Sequence, residues 1–517
     1  MNAFSSRREF LSQVGKGVLA ATLSPAVAVE LGLAPSGLAA ETDSQALRFG
    51  EIEPLVAFLQ DTPVGSLQPA LMKKLGEGIG LKKLVAAGAL ANARTFGGED
   101  YVGFHTIMAL GPALAMAEDS PQDRAALPVF KVLYRNTNRI QEKGGRKAEA
   151  MSQRVQAGAN SGDPAAALLA QVRQKNTAEA ERILAAQPTA EDMLAALLPT
   201  VCQDQEVHRT VLPYRAWDLL PVVGREHADT LLRQSLRYCV RAESWRSPDW
   251  EKPALLLAKL LDEYKLPRAS TRKADDAFVE ELSRAIFGGT PEQAATAAAA
   301  ALGEGMDPAA VGEAVSLAAN QLLLRDHGRR PSDEVAGKPV GSVHGDSIGV
   351  HASDSANAWR NLARVSTGRN AAACLVLGAW QAAEDRTNRG GDFAKWDPLP
   401  LPRHLDEAKP AEPAQMLGAL EEAVRGNLQA RACALVHRWG LLGHPEKPVF
   451  DLLLRFAVSE DGALHAEKFY RTVREEFAST RAAFRWRHLA ALARVTASEH
   501  GKPAAGQAEA RALLGVS

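Results

Sequence analysis

The chain has 517 residues, with 60 Lys and Arg against 61 Asp and Glu, and 46% hydrophobic residues of which few are aromatic. That length predicts more than one folding unit or an array of repeats, and the balanced charge gives no basis for a nucleic acid or an anionic membrane as partner. Plentiful Ala and Leu favour helices over strands.

The first element in chain order is Ser6-Arg7-Arg8-Glu9-Phe10-Leu11, followed by an apolar stretch from about Val14 to Val29. It resembles a twin-arginine export signal, whose pattern is Ser/Thr-Arg-Arg-x-Phe-Leu. Ala26-Val27-Ala28 offers a cleavage site and Ala39-Ala40 a second, so residues 1–40 are set aside as a signal peptide. The resemblance implies passage through the Tat export machinery and a periplasmic or secreted mature protein. Such cargo crosses folded, often with its cofactor already loaded. No later apolar run approaches the ~20 residues of a membrane span.

Four divergent helical units of roughly 100 residues follow. The first, 41–156, runs Pro54 to Gly80, then Leu81 to Phe96, then Asp100, His105 and a helix from Val129 to Asn138. The second, 157–270, opens with two short helices broken near Lys175-Asn176-Thr177. Pro188-Thr189-Ala190-Glu191-Asp192 then caps a third helix and places acids in its first turn. Asp204, His208 and two more helices complete it.

The third unit, 271–391, opens its third helix at Asp307-Pro308 and then carries an insertion from His327 onward. The Gly- and His-rich part, Gly337 to Ser355, reads as a loop that could serve as a lid or a site wall, with glycines arguing against helix between His344 and His351. The fourth, 392–517, starts with a Pro-rich linker to Pro413 and reaches Asp461 and His465. Pro188 to His208 and Pro445 to His465 both span 20 positions, the strongest sign of duplication. Apolar residues at i, i+3, i+4 and i+7 throughout predict an all-α protein of about twenty helices, forming a closed bundle or a short solenoid.

The recurrence of helix, acidic residue, His and helix at this spacing resembles the questin oxidase-like family of helical proteins. The resemblance covers most of the chain after residue 40 and implies a helical fold and an oxygenase of the Baeyer–Villiger type.

An acid precedes each histidine: Asp100 before His105, Asp204 before His208, Asp346 before His351, Asp461 before His465. His327 competes with His351 for its place, but Trp359 follows His351 much as Trp217 follows His208. Neutral imidazole is a common transition-metal ligand and needs an acceptor to fix its tautomer. His105, His208, His351 and His465 are therefore the candidate ligands of iron, copper or zinc. Asp204 and Asp461 would orient them, and His344 and Asp346 would supply a loop wall. Glu475-Glu476 and Glu421-Glu422 read as solvated helix faces. Phosphate-loop, G-x-S-x-G and H-E-x-x-H motifs are absent, so no nucleotide cofactor is implied. Cys202, Cys239, Cys374 and Cys433 form no C-x-x-C pair and read as buried thiols, with a Cys202–Cys239 disulfide left open. These features point to an exported metal-dependent oxidoreductase acting on a small organic substrate. The alternative is a non-catalytic helical scaffold or binding protein in which Asp and His cap helices.

Overall fold

The structure is a computed structural model that describes residues 46–158, 162–246, 251–345, 347–387, 393–409 and 411–516. The segment expected to be an export signal, Asp346 and parts of both inter-unit linkers lie outside the described residues. Among the described residues every element longer than an isolated bridge is helical. Their buried apolar side chains form one continuous core reaching from Leu47 to Ala510.

Four helices carry the repeated histidines: Tyr101–Asp119, Val207–Asp218, Ile348–Val365 and His465–Ser479. Each packs against two of the others, in the cyclic order His105, His208, His351, His465, which closes a ring. Each is also packed by the helix before it and the helix after it. The preceding helices are Leu81–Phe96, Ala190–Val201, Pro308–Arg325 and Lys447–Ser459. The following ones are Ala126–Glu142, Ala228–Ala242, Gly368–Thr387 and Trp486–Glu499. The arrangement is a closed bundle rather than an open solenoid.

The four histidine helices run parallel, because each joins the others at matching depths. Arg474 holds Asp119 through Nε at 2.9 Å, and Arg471 approaches Asp218 at 3.9 Å. Nearer the histidines, Thr472 donates to Asp354 at 2.8 Å. Parallel neighbours need long connections, since the chain must return to the starting end each time. That requirement accounts for the 103 positions between His105 and His208 and the 114 between His351 and His465.

Below the histidines the bundle interior is polar. Glu476 is fully buried and receives Arg360 Nη1 at 2.5 Å, Ser316 Oγ at 2.6 Å and Asn357 Nδ2 at 2.8 Å. Burial raises its carboxyl, but Arg360 and the hydrogen bonds outweigh that and hold it below the ordinary range. Glu475 accepts the Tyr214 hydroxyl at 3.0 Å and faces Arg215. The Glu475-Glu476 pair is thus an interior anchor and not the solvated face its composition suggests.

Two further expectations change. The insertion in the third unit ends at Ser347, whose hydroxyl accepts the Val350 N–H and starts the helix. Gly349 lies inside that helix, where a Cβ would stand 2.5 Å from Leu323 Cα. Glycine there serves close helix packing instead of a loop. The Pro-rich linker contains the short helix Pro402–Glu407, and Leu399 N–H bonds to the Leu324 carbonyl at 2.8 Å. All four cysteines are buried free thiols.

Glu476→Ala should leave the Arg360 guanidinium buried without its partner and cost about 3–5 kcal/mol. Chemical denaturation of the variant checks this. A loss under ~1 kcal/mol would mean that the pair carries no structural weight.

Candidate functional site

The four histidines meet at the N-terminal end of the bundle. Each sits in the first or second turn of its helix, and local sequence sets that placement. Asp100 caps the first helix by accepting the Gly103 N–H at 2.8 Å. Glu206 caps the second by accepting the Arg209 N–H at 3.0 Å. Ser347 caps the third, and the fourth is entered through a strained turn. There Gly462, Ala463 and Leu464 all take positive φ, at 51°, 48° and 66°. A left-handed Ala and Leu in succession cost of order 1–3 kcal/mol each and mark places where geometry is imposed. Gly345 packs directly on the ring that follows, since a Cβ there would lie 2.1 Å from His465 Cβ.

The rings form a closed circuit. Centroids are 4.9 Å apart for His105–His208, 5.9 Å for His208–His351, 5.2 Å for His351–His465 and 5.1 Å for His105–His465. The Nε2 atoms meet two by two, at 3.3 Å between His208 and His105 and 3.1 Å between His351 and His465. No group of three or more His, Cys, Asp or Glu among the described residues stands as a ready-formed metal-ligand set. His327 is elsewhere, stacked on Trp396 at 4.1 Å.

Tautomers follow from the acceptors. His105 Nδ1 is 2.7 Å from the Tyr101 carbonyl, which can only accept, so Nδ1 carries the proton. His208 Nδ1 is 2.5 Å from Glu206 Oε1. Burial raises the Glu206 carboxyl, yet bonds from His208 and Tyr238 dominate and take it down to about 2. That carboxylate is ionised and His208 Nδ1 must donate. His105 Nε2 therefore presents a lone pair towards His208 Nε2 at 3.3 Å. His465 is buried, and its Nδ1 has no hydrogen-bond partner among the described residues. Burial first, and then the positive Lys468, push His105 and His465 well below the usual imidazole range.

The acids expected to orient the rings are placed otherwise. Asp100 binds Arg139 through both oxygens, at 2.9 and 2.8 Å, and does not reach His105. Asp204 makes no hydrogen bond to His208 among the described residues; burial and the neighbouring Glu206 raise its carboxyl to about 6 despite Arg209. Asp461 pairs with Arg135 at 3.5 Å. Glu206, two positions from His208, does the orienting that Asp204 was expected to do. His344 is buried near the cluster, bearing electrostatically on both His465 and Glu499.

Two further residues were missed. Lys468 is buried one turn after His465, and burial lowers its amine to about 8. Asp354 is buried one turn after His351, and burial raises its carboxyl. Both lie three positions after a repeated histidine, so helical spacing carried on past the rings would have found them. Tyr101 covers the cluster: its ring is 4.4 Å from His105 and 59% of the residue is exposed. With His208 and His351 only half-buried, the cluster reaches the surface beside it.

No family model, curated protein or solved structure matches this chain. The reading of the site therefore rests on its own geometry.

The buried rings predict a pH dependence. In the unfolded chain they take up protons near pH 6.5, whereas burial holds His105 and His465 well below that and His488 at about 4. Between those limits the unfolded state binds more protons, so stability falls as pH drops from about 6.5 towards 4. Metal-free protein should show a lower denaturation midpoint at pH 5 than at pH 7, and the difference should shrink in His488→Gln. An unchanged midpoint would contradict neutral buried rings.

Proposed function

We propose that the chain is an exported metal-dependent oxidoreductase acting on a small organic substrate. His105, His208, His351 and His465 would hold one transition metal ion: iron, copper or zinc. The observation that carries this reading is the convergence of four imidazole rings whose Nε2 atoms face one another in two pairs, at 3.3 Å and 3.1 Å. The His105 Nε2 lone pair is open to a proton or a cation between it and His208. Imidazole nitrogens about 3.1–3.3 Å apart also suit metal–nitrogen bonds of about 2.0–2.1 Å in a tetrahedral set.

Bound there, such an ion would supply Lewis acidity and, for iron or copper, one-electron chemistry. The chain's own groups have separate tasks. The Tyr101 carbonyl and Glu206 fix two rings in the ligating tautomer. Four helix N-termini, each equivalent to roughly +0.5 charge, and the Lys468 amine favour a substrate with a negatively charged oxygen. Asp204, whose carboxyl burial raises to about 6, would be the group to exchange protons. His344 and Asp346 would wall the site, and Asp461, engaged by Arg135, takes no part. Oxidation is the reaction class that the questin oxidase-like resemblance implies. The Tat-type leader supports loading of the ion before export.

Elemental analysis of protein purified after native export should find about one transition metal ion per chain, lost in His208→Ala and His465→Ala. Glu206→Gln should retain the fold and weaken metal affinity roughly 10- to 100-fold. Absence of stoichiometric metal, with unchanged stability in His208→Ala, would sink the proposal. It would favour the scaffold reading, to which the capping role of Asp100 already lends weight.

A further inference from the structure

His465 differs from two of the other rings in how it is held. His105 Nδ1 is fixed by the Tyr101 carbonyl at 2.7 Å, and His208 Nδ1 by Glu206. His465 is 2% exposed, yet its Nδ1 has no hydrogen-bond partner among the described residues. The torsion that turns an imidazole about its Cβ–Cγ bond has only a broad preference of its own. What encloses His465 therefore sets the direction of its ring.

Two pieces of chain enclose it. One is the strained turn Gly462-Ala463-Leu464, which delivers the residue. The other is the stretch from Val343 to Gly345, near the end of the insertion in the third unit. A Cβ at Gly345 would stand 2.1 Å from His465 Cβ, 2.6 Å from its Cγ and 3.2 Å from the Gly462 carbonyl oxygen. Both pieces are tied to one short run of chain, 498–504. Ser498 Oγ accepts the Val343 N–H at 2.8 Å, and Glu499 Oε1 accepts the Gly345 N–H at 3.0 Å. The Asp461 N–H donates to the Lys502 carbonyl at 2.7 Å, and the Ala504 N–H to the Ser459 carbonyl at 2.9 Å. Glu499, 3% exposed, borders the turn as well, since a Cβ at Gly462 would lie 3.3 Å from its Oε2. One buried side chain thus touches both walls around His465.

We propose that Glu499 is a positioning residue for the four-ring centre. By holding the Gly345 N–H it keeps the backbone of the insertion against His465 and aims His465 Nε2 at His351 Nε2, 3.1 Å away. Glycine at 345 is required because a residue without a Cβ is what lets that backbone come so close. The bond needs an acceptor oxygen and no charge, so an amide oxygen would serve equally. In the metal-free protein the aimed contact is a hydrogen bond between the two rings. Its second use, holding His465 Nε2 where a ligand must stand, rests on the metal reading above.

The test is proton NMR of the purified full chain, freed of metal by chelation. The imidazole N–H shared by His351 and His465 should give a slowly exchanging downfield signal, assigned by its loss in His465→Gln. It should persist in Glu499→Gln. It should vanish in Glu499→Met, which keeps the side chain's length and removes the acceptor, and in Gly345→Ala. The His105 Nδ1–H signal, assigned through His105→Gln, should stay in all three. Transition-metal affinity should fall roughly 10- to 100-fold in Glu499→Met and Gly345→Ala, and by less than about threefold in Glu499→Gln. The proposal is overturned if the wild type lacks the shared signal, if that signal survives in Glu499→Met or Gly345→Ala, or if Glu499→Gln loses it too. Loss of the His105 signal alongside it would mean general loosening and would also overturn the proposal. Should Glu499→Met fail to fold, Gly345→Ala and Glu499→Gln decide. A chain that holds no metal would remove the metal reading and leave the proton signals to decide. Metal bound with unchanged affinity in Glu499→Met and Gly345→Ala would remove the positioning role alone.

Discussion

Four parallel helices that meet at their N-terminal ends impose the constraint on which the rest of this molecule depends. Their dipoles add instead of cancelling, so one end of the bundle is positive and the other negative. At the positive end the chain places His105 and His465, whose protonation burial and Lys468 disfavour. Towards the negative end it places arginines. Arg360 donates to the Ser479 carbonyl at the C-terminus of the fourth helix, and Arg474 pairs with Asp119 at the C-terminus of the first.

The same constraint explains the polar column below the rings. Parallel packing stacks equivalent positions of the four helices at equal depth, and several of those positions are charged. Such groups are tolerated in a dry interior only when each is paired and hydrogen-bonded. Glu476 with Arg360, Ser316 and Asn357 meets that condition, as does Glu475 with Tyr214 and Arg215. A column of this kind contributes register more than net stability. Sliding one helix by a turn would strand several charges at once. Register is what a four-ring centre needs, because an error of one turn moves an imidazole by about 5.4 Å.

Much of the helical layout was legible in sequence because its signals are local. Thr189, Asp307 and Asp100 cap the helices that their positions predict, and apolar periodicity marked the buried faces. The four histidines could be picked out because one spacing recurred. Their partners could not be, because partnership depends on which way a side chain leaves the helix end. Asp100 and Asp461 turn outward to Arg139 and Arg135, and Glu206 turns inward to His208. Nothing in the order acid-then-histidine distinguishes these directions. The Glu475-Glu476 pair misled for the same reason: two adjacent acids usually mean a wet face, and only the opposing Arg360 and Arg215 show that this face is interior.

Sequence alone determined the all-helical class, several helix starts and the set of four histidines, since these follow from propensity, capping and periodicity within a few turns of chain. Tertiary structure decided that the bundle closes and that the rings face one another in two pairs. Each of these depends on contacts between residues a hundred or more positions apart, and no local pattern encodes which of several compatible neighbours a helix face will meet.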